Sequence, residues 1–219
     1  MPSADATGPG RLFAALLAVC LCTAAARSQQ AVTEDKRSVL ERAAAARAAA
    51  KASEKFDDTF RKYSKRYFGP AWDWKLFKAQ AMAESALDSA AQSPVGARGL
   101  MQLMPSTYQM IQSRRPEFGS IDDPEWNIAA GIFHDRYLWR LWSKDVTEAQ
   151  RWYFTLGSYN AGQGTITRAT AVARAQNLDH SVWPNIETIA PAVPRWRYRE
   201  TLGYVRRIEI YYEALRTVR

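Results

Sequence analysis

Between Asp73 and Ser85 the chain reads Asp-Trp-Lys-Leu-Phe-Lys-Ala-Gln-Ala-Met-Ala-Glu-Ser, and its one glutamate, Glu84, stands where an apolar residue belongs. On a helix Trp74, Phe77, Ala81 and Glu84 follow one another at intervals of three, four and three, so they share a face. Desolvation on such a face disfavours ionisation, and a carboxyl there holds its proton to higher pH than in water. That property suits a general acid working near neutrality. Periodicity alone leaves two plainer readings open: a buried glutamate paired with Arg or Lys, or one at the end of the stripe that reaches solvent. Cleavage of a glycosidic bond commonly needs two carboxylates, roughly 5 to 9.5 Å apart. Asp88, one turn on, is the nearest acid in sequence, but a small-residue loop follows it and it reads as a helix-ending or solvated group. Without a second carboxylate, a substrate would have to supply its own nucleophile.

Other constellations offer less chemistry. His134 and His180 are isolated, with no nucleophile–His–Asp grouping and no zinc spacing around them. No phosphate-binding Gly loop is present. Neither metal nor cofactor is expected. The run Arg195-Trp-Arg-Tyr-Arg199 could stack on and attract nucleic acid, or could be an ordinary solvated face. It could also form the edge of a cleft.

The elements that must position Glu84 are helical throughout, because no run alternates for long in the manner of a strand. Asp73 can cap a helix from Trp74 to about Leu87. Ser89 to Gly99, with Pro94, Gly96 and Gly99, reads as a loop. Pro105 suits the first residue of a helix ending near Ser113, and Pro124 introduces a longer one from Glu125 to about Trp142. Thr147 with Gln150 forms a capping box for a helix to about Asn160. Gly162 and Gly164 interrupt before Thr165 to Gln176. A short piece spans Trp183 to Ile189, Pro191 and Pro194 enforce a loop, and a last helix runs from about Arg199 to Leu215. The sum is an all-helical globular bundle.

Bulk properties set the frame. The chain has 219 residues, 47% of them hydrophobic, with eight Trp and ten Tyr, which excludes disorder throughout. Aromatic residues fall almost entirely from Phe56 onward, so the core belongs to residues 56–219. At the start, Arg11 precedes an apolar run from Leu12 that ends in the small residues Thr23 to Ala26. That run is about 15 residues, against the ~20 a membrane span needs. Ala24 and Ala26 offer a small-x-small cleavage site, so residues 1–26 read as a signal peptide and the protein as exported, to the periplasm or cell envelope; an uncleaved anchor is the alternative. Cys20 and Cys22 both lie in that segment, which leaves the mature part without a disulfide or a cysteine metal site. Residues 27–55, rich in Ala, Arg, Lys and Glu, read as a helical arm or linker. The formal charge of +8 suits a polyanionic partner such as nucleic acid, a lipid surface or the cell wall, and does not choose among them.

Glu84-Ser85, followed by Ser93-Pro-Val-Gly96-Ala-Arg-Gly99-Leu-Met-Gln102-Leu-Met104-Pro105-Ser-Thr107, resembles the soluble-lytic-transglycosylase (SLT) module of the goose-lysozyme-like glycoside hydrolase family 23. Three more stretches match in order: Asn127-Ile-Ala-Ala-Gly131 with Tyr137-Leu138, Ser158-Tyr159-Asn160-Ala161-Gly162, and Glu200-Thr201 with Tyr204-Val205 and Ile208. Together they span about residues 70 to 212. A longer stretch before the last motif is similar to the catalytic module of the membrane-bound F type, whose preceding solute-binding-like domain has no counterpart in these residues. Ser158 stands where many relatives have Ala.

The resemblance implies an all-α, lysozyme-like fold and a peptidoglycan lytic transglycosylase. It makes Glu84 the single general acid and base for the bond between N-acetylmuramic acid and N-acetylglucosamine, leaving a 1,6-anhydro sugar. Ser85 would orient the substrate's acetamido group. Gln102 and Met104 would line the cleft beside the cut bond, Tyr159 and Asn160 its opposite wall, and Glu200 and Tyr204 its floor. The implied partner is the peptidoglycan glycan strand and not nucleic acid, for a monomer compatible with peripheral membrane or cell-wall association. Two alternatives are a lysozyme-like muramidase that delivers water, and a non-catalytic wall-binding protein.

Overall fold

The computed structural model describes residues 54–217 and scattered positions between 39 and 48, the latter helical. The expected signal peptide, 1–26, and much of the 27–55 arm lie outside the described residues. A 3₁₀ turn, Glu54–Phe56, leads into α1, Asp57–Phe68, which buries Phe60 and Tyr63 and stops at Gly69, with φ of 99°. Helix α2 is Lys75–Ser85. Its first turn is held by Asp73, whose carboxylate accepts from the Lys75 backbone N–H at 3.0 Å. The helix ends two residues before the expected Leu87, because Ala86 and Leu87 both turn left-handed, with φ of 52° and 65°. Each such turn costs a non-glycine residue about 1–2 kcal/mol, and burial of the Leu87 side chain offsets a cost of that size.

Pro105 opens α3, Pro105–Arg114. Helix α4, Pro124–Leu141, starts on Asp123, whose side chain accepts from the Glu125 and Trp126 N–H groups. Helix α5, Glu148–Ala161, begins after Thr147, yet the expected capping box is not made. Gln150 instead accepts from the Trp183 backbone N–H at 2.9 Å, which ties α5 to the start of a later helix. Helices α6, Gln163–Ala175, and α7, Trp183–Ile189, follow; a 3₁₀ turn at Ala190–Ala192 and a loop then lead to α8, Tyr198–Arg216. Among the described residues no strand forms. Isolated bridges join Gln92 to Arg98 and Arg98 to Leu103 inside the loop after α2.

Helix α2 is the centre of the domain. It packs along α8 and against α1; α4 lies on α1 and α5; α5 reaches α6 and α8. Every residue from Phe77 to Met82 is buried, Lys78 and Gln80 included. A helix buried on all sides is a core element, not a surface one. Lys78 keeps its charge company with Asp57 on α1. Around Phe77, an aromatic cluster of Phe68, Trp72, Trp139 and Trp152 joins α1, α4 and α5. The outcome is one framework that fixes both ends of α2, and Glu84 sits at one of them.

Candidate active site

Glu84 lies in the last turn of α2 and is half-buried as a residue. Its Oε1 accepts a hydrogen bond from the Tyr204 hydroxyl at 2.6 Å. Tyr204 is on α8 and only 2% exposed, so the packing of α8 along α2 places a phenol beneath the carboxyl. Burial is the strongest influence on the Glu84 proton and pushes its pKa up to about 7; the Tyr204 bond and the positive charge of Arg207 pull the other way without prevailing. The reading as a glutamate paired with Arg or Lys does not describe this arrangement, since the hydrogen-bond partner is a phenol. The Tyr204 hydroxyl is itself driven well above its ordinary value by burial and by Glu84, so it stays a donor.

The loop between α2 and α3 is tied back to the end of α2 through Ser85 and the Leu100 carbonyl. Its shape comes from a buried asparagine on α4: Asn127 Oδ1 accepts from the Met101 N–H at 2.8 Å, and its Nδ2 donates to the Arg98 and Ile121 carbonyls at 3.0 and 2.9 Å. Gly99 makes this approach possible. It has φ of 75°, and a Cβ there would lie 2.4 Å from Asn127 Nδ2. Met101 is gripped a second time by Tyr159 of α5, whose hydroxyl donates to its carbonyl at 2.7 Å. A third constraint comes from Gly131, where a Cβ would come within 2.6 Å of the Met101 side chain. The motif Asn127-Ile-Ala-Ala-Gly131 is therefore the clamp on the loop that follows Glu84 and Ser85. Nothing local in the sequence of these residues points to that role.

The other candidate residues divide by place. Ser85 donates to the Leu100 carbonyl at 2.9 Å, which ties the end of α2 to the same loop and leaves its lone pairs to accept. Gln102, with φ of 44°, donates through Nε2 to the Gly99 and Ala91 carbonyls at 2.9 and 3.2 Å. Met104 is 38% exposed on the residue before α3. Asn160 and Glu200 share a hollow of about 200 Å³ with Arg195, Trp196 and Thr201. There Glu200 forms an exposed ion pair with Arg197 at 3.1 Å, one turn of α8 from Tyr204. Of the Arg195–Arg199 run, Trp196 is turned inward and donates to Thr201 Oγ1 at 3.0 Å. Ser158 accepts from Trp142 Nε1 at 3.0 Å. Asp88 is exposed and caps the Ala90 N–H.

A second carboxyl is present that sequence reasoning missed. Asp135 of α4 is completely buried, and it lies near enough to Tyr159, Tyr204 and Glu84 that a charge on Asp135 would raise both phenols, as a charge on Glu84 raises Asp135. Its setting in His134-Asp-Arg136 looks like a solvated face. The signal was nonetheless there: Ile128, Ile132, Asp135 and Trp139 are spaced four, three and four apart and are all buried, the same kind of stripe that singled out Glu84. His134 beside it is held neutral, with burial taking its pKa down to about 4.

Residues 58–182 match the transglycosylase SLT domain family. The membrane-bound lytic murein transglycosylase F of Shewanella pealeana is 30% identical over 74% of this chain and 34% of the relative. Its counterpart in Vibrio campbellii is 29% identical over 74% of this chain and 30% of the relative. Among solved structures, the 70 kDa soluble lytic transglycosylase of Escherichia coli superposes with a TM-score of 0.57 at 27% identity, over 74% of this chain and 24% of that one. The chain thus spans about a third of the length of these curated relatives.

Proposed function

The chain belongs to the transglycosylase SLT family, and on that premise we propose that it is a peptidoglycan lytic transglycosylase in which Glu84 is the only group to exchange protons with the substrate. The observation that carries this reading is a half-buried carboxyl at the end of α2 whose pKa stands at about 7, with a phenol as its hydrogen-bond donor. Below that pH it is an acid ready to give its proton; once the proton is gone, the Tyr204 hydrogen bond steadies the carboxylate so that it can act as a base.

The steps follow from that one group. Glu84 protonates the oxygen between N-acetylmuramic acid and N-acetylglucosamine, and the C1–O bond breaks. The acetamido group of the same muramoyl residue closes on C1 as an oxazolinium, with Ser85, its own proton given to Leu100, accepting from the acetamido N–H. Glu84 then takes the proton of the muramoyl C6 hydroxyl, whose oxygen attacks C1 to leave the 1,6-anhydro ring and restore the acetamido group. This is the substrate-assisted exception to the two-carboxylate rule. The burial of Asp135 supports it, since a carboxyl with no exposed surface cannot reach a sugar carbon. A nucleophile carried on the substrate also needs no capture from solution. Gln102 and Met104 on one side, Tyr159 and Asn160 on the other, and Glu200 with Tyr204 below are the proposed sugar-contacting groups. The relatives' names say membrane-bound, and a cell-envelope location is proposed here by analogy. Domain limits of 1–26, 27–55 and 56–219 are proposed with it.

Mass spectrometry of fragments released from purified sacculi tests the reaction. Anhydro-muropeptides are expected. Reducing-end products would instead identify a muramidase that delivers water, and binding without release a wall-binding protein.

A further inference from the structure

Behind Glu84, α2 and α4 meet through two side chains that the reaction does not use. Gln80 and Asp135 are both completely buried. Gln80 Nε2 donates to Asp135 Oδ1 at 3.3 Å. The remaining oxygens of the pair, Gln80 Oε1 and Asp135 Oδ2, are also buried, and neither has a hydrogen-bond donor among the described residues. Two orphaned acceptors on one facing pair are what a missing proton looks like. A carboxylic acid opposite a primary amide closes both gaps at once, N–H to one oxygen and O–H to the other, whereas a carboxylate leaves Gln80 Oε1 empty.

The surroundings agree. The titratable groups close enough to act electrostatically with Asp135 are Glu84 on α2, Tyr159 on α5 and Tyr204 on α8, while its neighbour His134 is neutral. Arg207 acts on Glu84 and does not bond Asp135. With no cation bonded to it among the described residues, burial and the charge of Glu84 both favour the acid form of Asp135.

We propose that Asp135 is a positioning residue that keeps its proton in the working enzyme, closes an acid–amide pair with Gln80, and so fixes α2 one turn before Glu84 without putting a second negative charge behind it. Gln80 and Glu84 are four residues apart and stand one above the other on α2. Whatever holds Gln80 to α4 therefore holds the turn from which Glu84 reaches the cleft. The proposal rests on Glu84 being the acid.

Infrared spectroscopy of E84Q and of E84Q/D135N near neutral pH reads the Asp135 proton without any turnover. E84Q should show the carbonyl stretch of a buried protonated carboxyl, and the added D135N should remove it. A band absent from E84Q, or unchanged in the double variant, overturns the proposal. Kinetics read the positioning. D135A, which leaves the Gln80 amide facing nothing, should lower kcat about tenfold, the rate equivalent of one hydrogen bond lost, with KM within about twofold. D135N restores a donor and an acceptor opposite Gln80; it should recover most of that loss and keep the alkaline limb of the pH profile where the parent has it. A D135N limb displaced downward by about one unit would show that an ionised Asp135 had been holding the Glu84 proton in place, and would sink the idea. If D135A does not fold, the infrared comparison and the D135N limb still decide. Failure of the Glu84 assignment looks different: E84Q would then turn over sacculi at the parent's rate, whatever Asp135 does.

Discussion

Helix α2 buries two ionisable side chains, and the two ends treat them in opposite ways. Lys78 is 2% exposed and meets the carboxylate of Asp57 from α1. Glu84, six residues on, is half-buried at the other end and meets the hydroxyl of Tyr204. At the first site a full opposite charge compensates for lost water, and the pair serves to lock two helices. At the second the compensation is partial, so the group keeps its proton to about pH 7 and has something to donate. The same helix therefore holds one group met by a full opposite charge and one met only by a neutral donor, and the second is the one proposed for chemistry.

Removing either group separates these roles. The largest effect is expected for E84Q, which keeps the shape and loses the proton: turnover of sacculi should fall by roughly 10³-fold or more, at the upper end of what one acid–base group supplies. Muropeptide release under single-turnover conditions measures it, and an unchanged rate would remove Glu84 from the mechanism. Next is D57N, which leaves Lys78 buried without its carboxylate. A loss of about 3 kcal/mol in denaturant unfolding is expected, with kcat per folded molecule within about twofold. A variant that stayed folded but lost most of its kcat would show that the two ends of α2 are not separable.

The third effect is a pH slope. Glu84 titrates near 4.5 in the unfolded chain and at about 7 in the folded one. The folded state binds the extra proton between those values, so stability falls as pH rises through that window and stays low above it. About 2 kcal/mol is expected for a carboxyl that retains some contact with solvent. Unfolding midpoints measured across the window should fall for the parent and stay flatter for E84Q, which makes E84Q the more stable protein at pH 8. The smallest effect belongs to Y204F. It removes the bond that favours the carboxylate, so the alkaline limb of kcat/KM should move upward. A stability loss of about 1 kcal/mol and a kcat loss of roughly tenfold should accompany it. A limb that moved downward would mean that the phenol does not act on Glu84 as the geometry requires.

Much of this was readable from local pattern. The apolar stripe picked out Glu84, the prolines located the starts of α3 and α4, and the ordered motifs gave the family and its helical fold. What escaped depends on contacts between distant segments. Gln150 looked like half of a capping box because Thr147 precedes it by three residues, and nothing local points to its bond with Trp183. The stop of α2 at Ser85 is hidden in the sequence because Ala86 and Leu87 are good helix formers, and the burial of Leu87 that accompanies the left-handed turn involves tertiary packing. Asn127 read as a motif letter, while its work is to hold Met101 and Arg98 across more than twenty residues. Asp135 hid among polar neighbours on a face that becomes interior where α4 meets Gln80 of α2.

Because α2 stops at Ser85, Glu84 stands in its final turn. The last carbonyls of a helix gather about half a unit of negative charge at that pole, an effect that fades within a turn. The left-handed pair Ala86 and Leu87 pins the pole beside the carboxyl, where a second negative charge is unwelcome. Backbone polarity thus pushes in the same direction as dehydration. A helix continued by one more turn would carry that pole away and let the acid ionise more readily, so the point at which the chain stops coiling is itself part of the acid's strength.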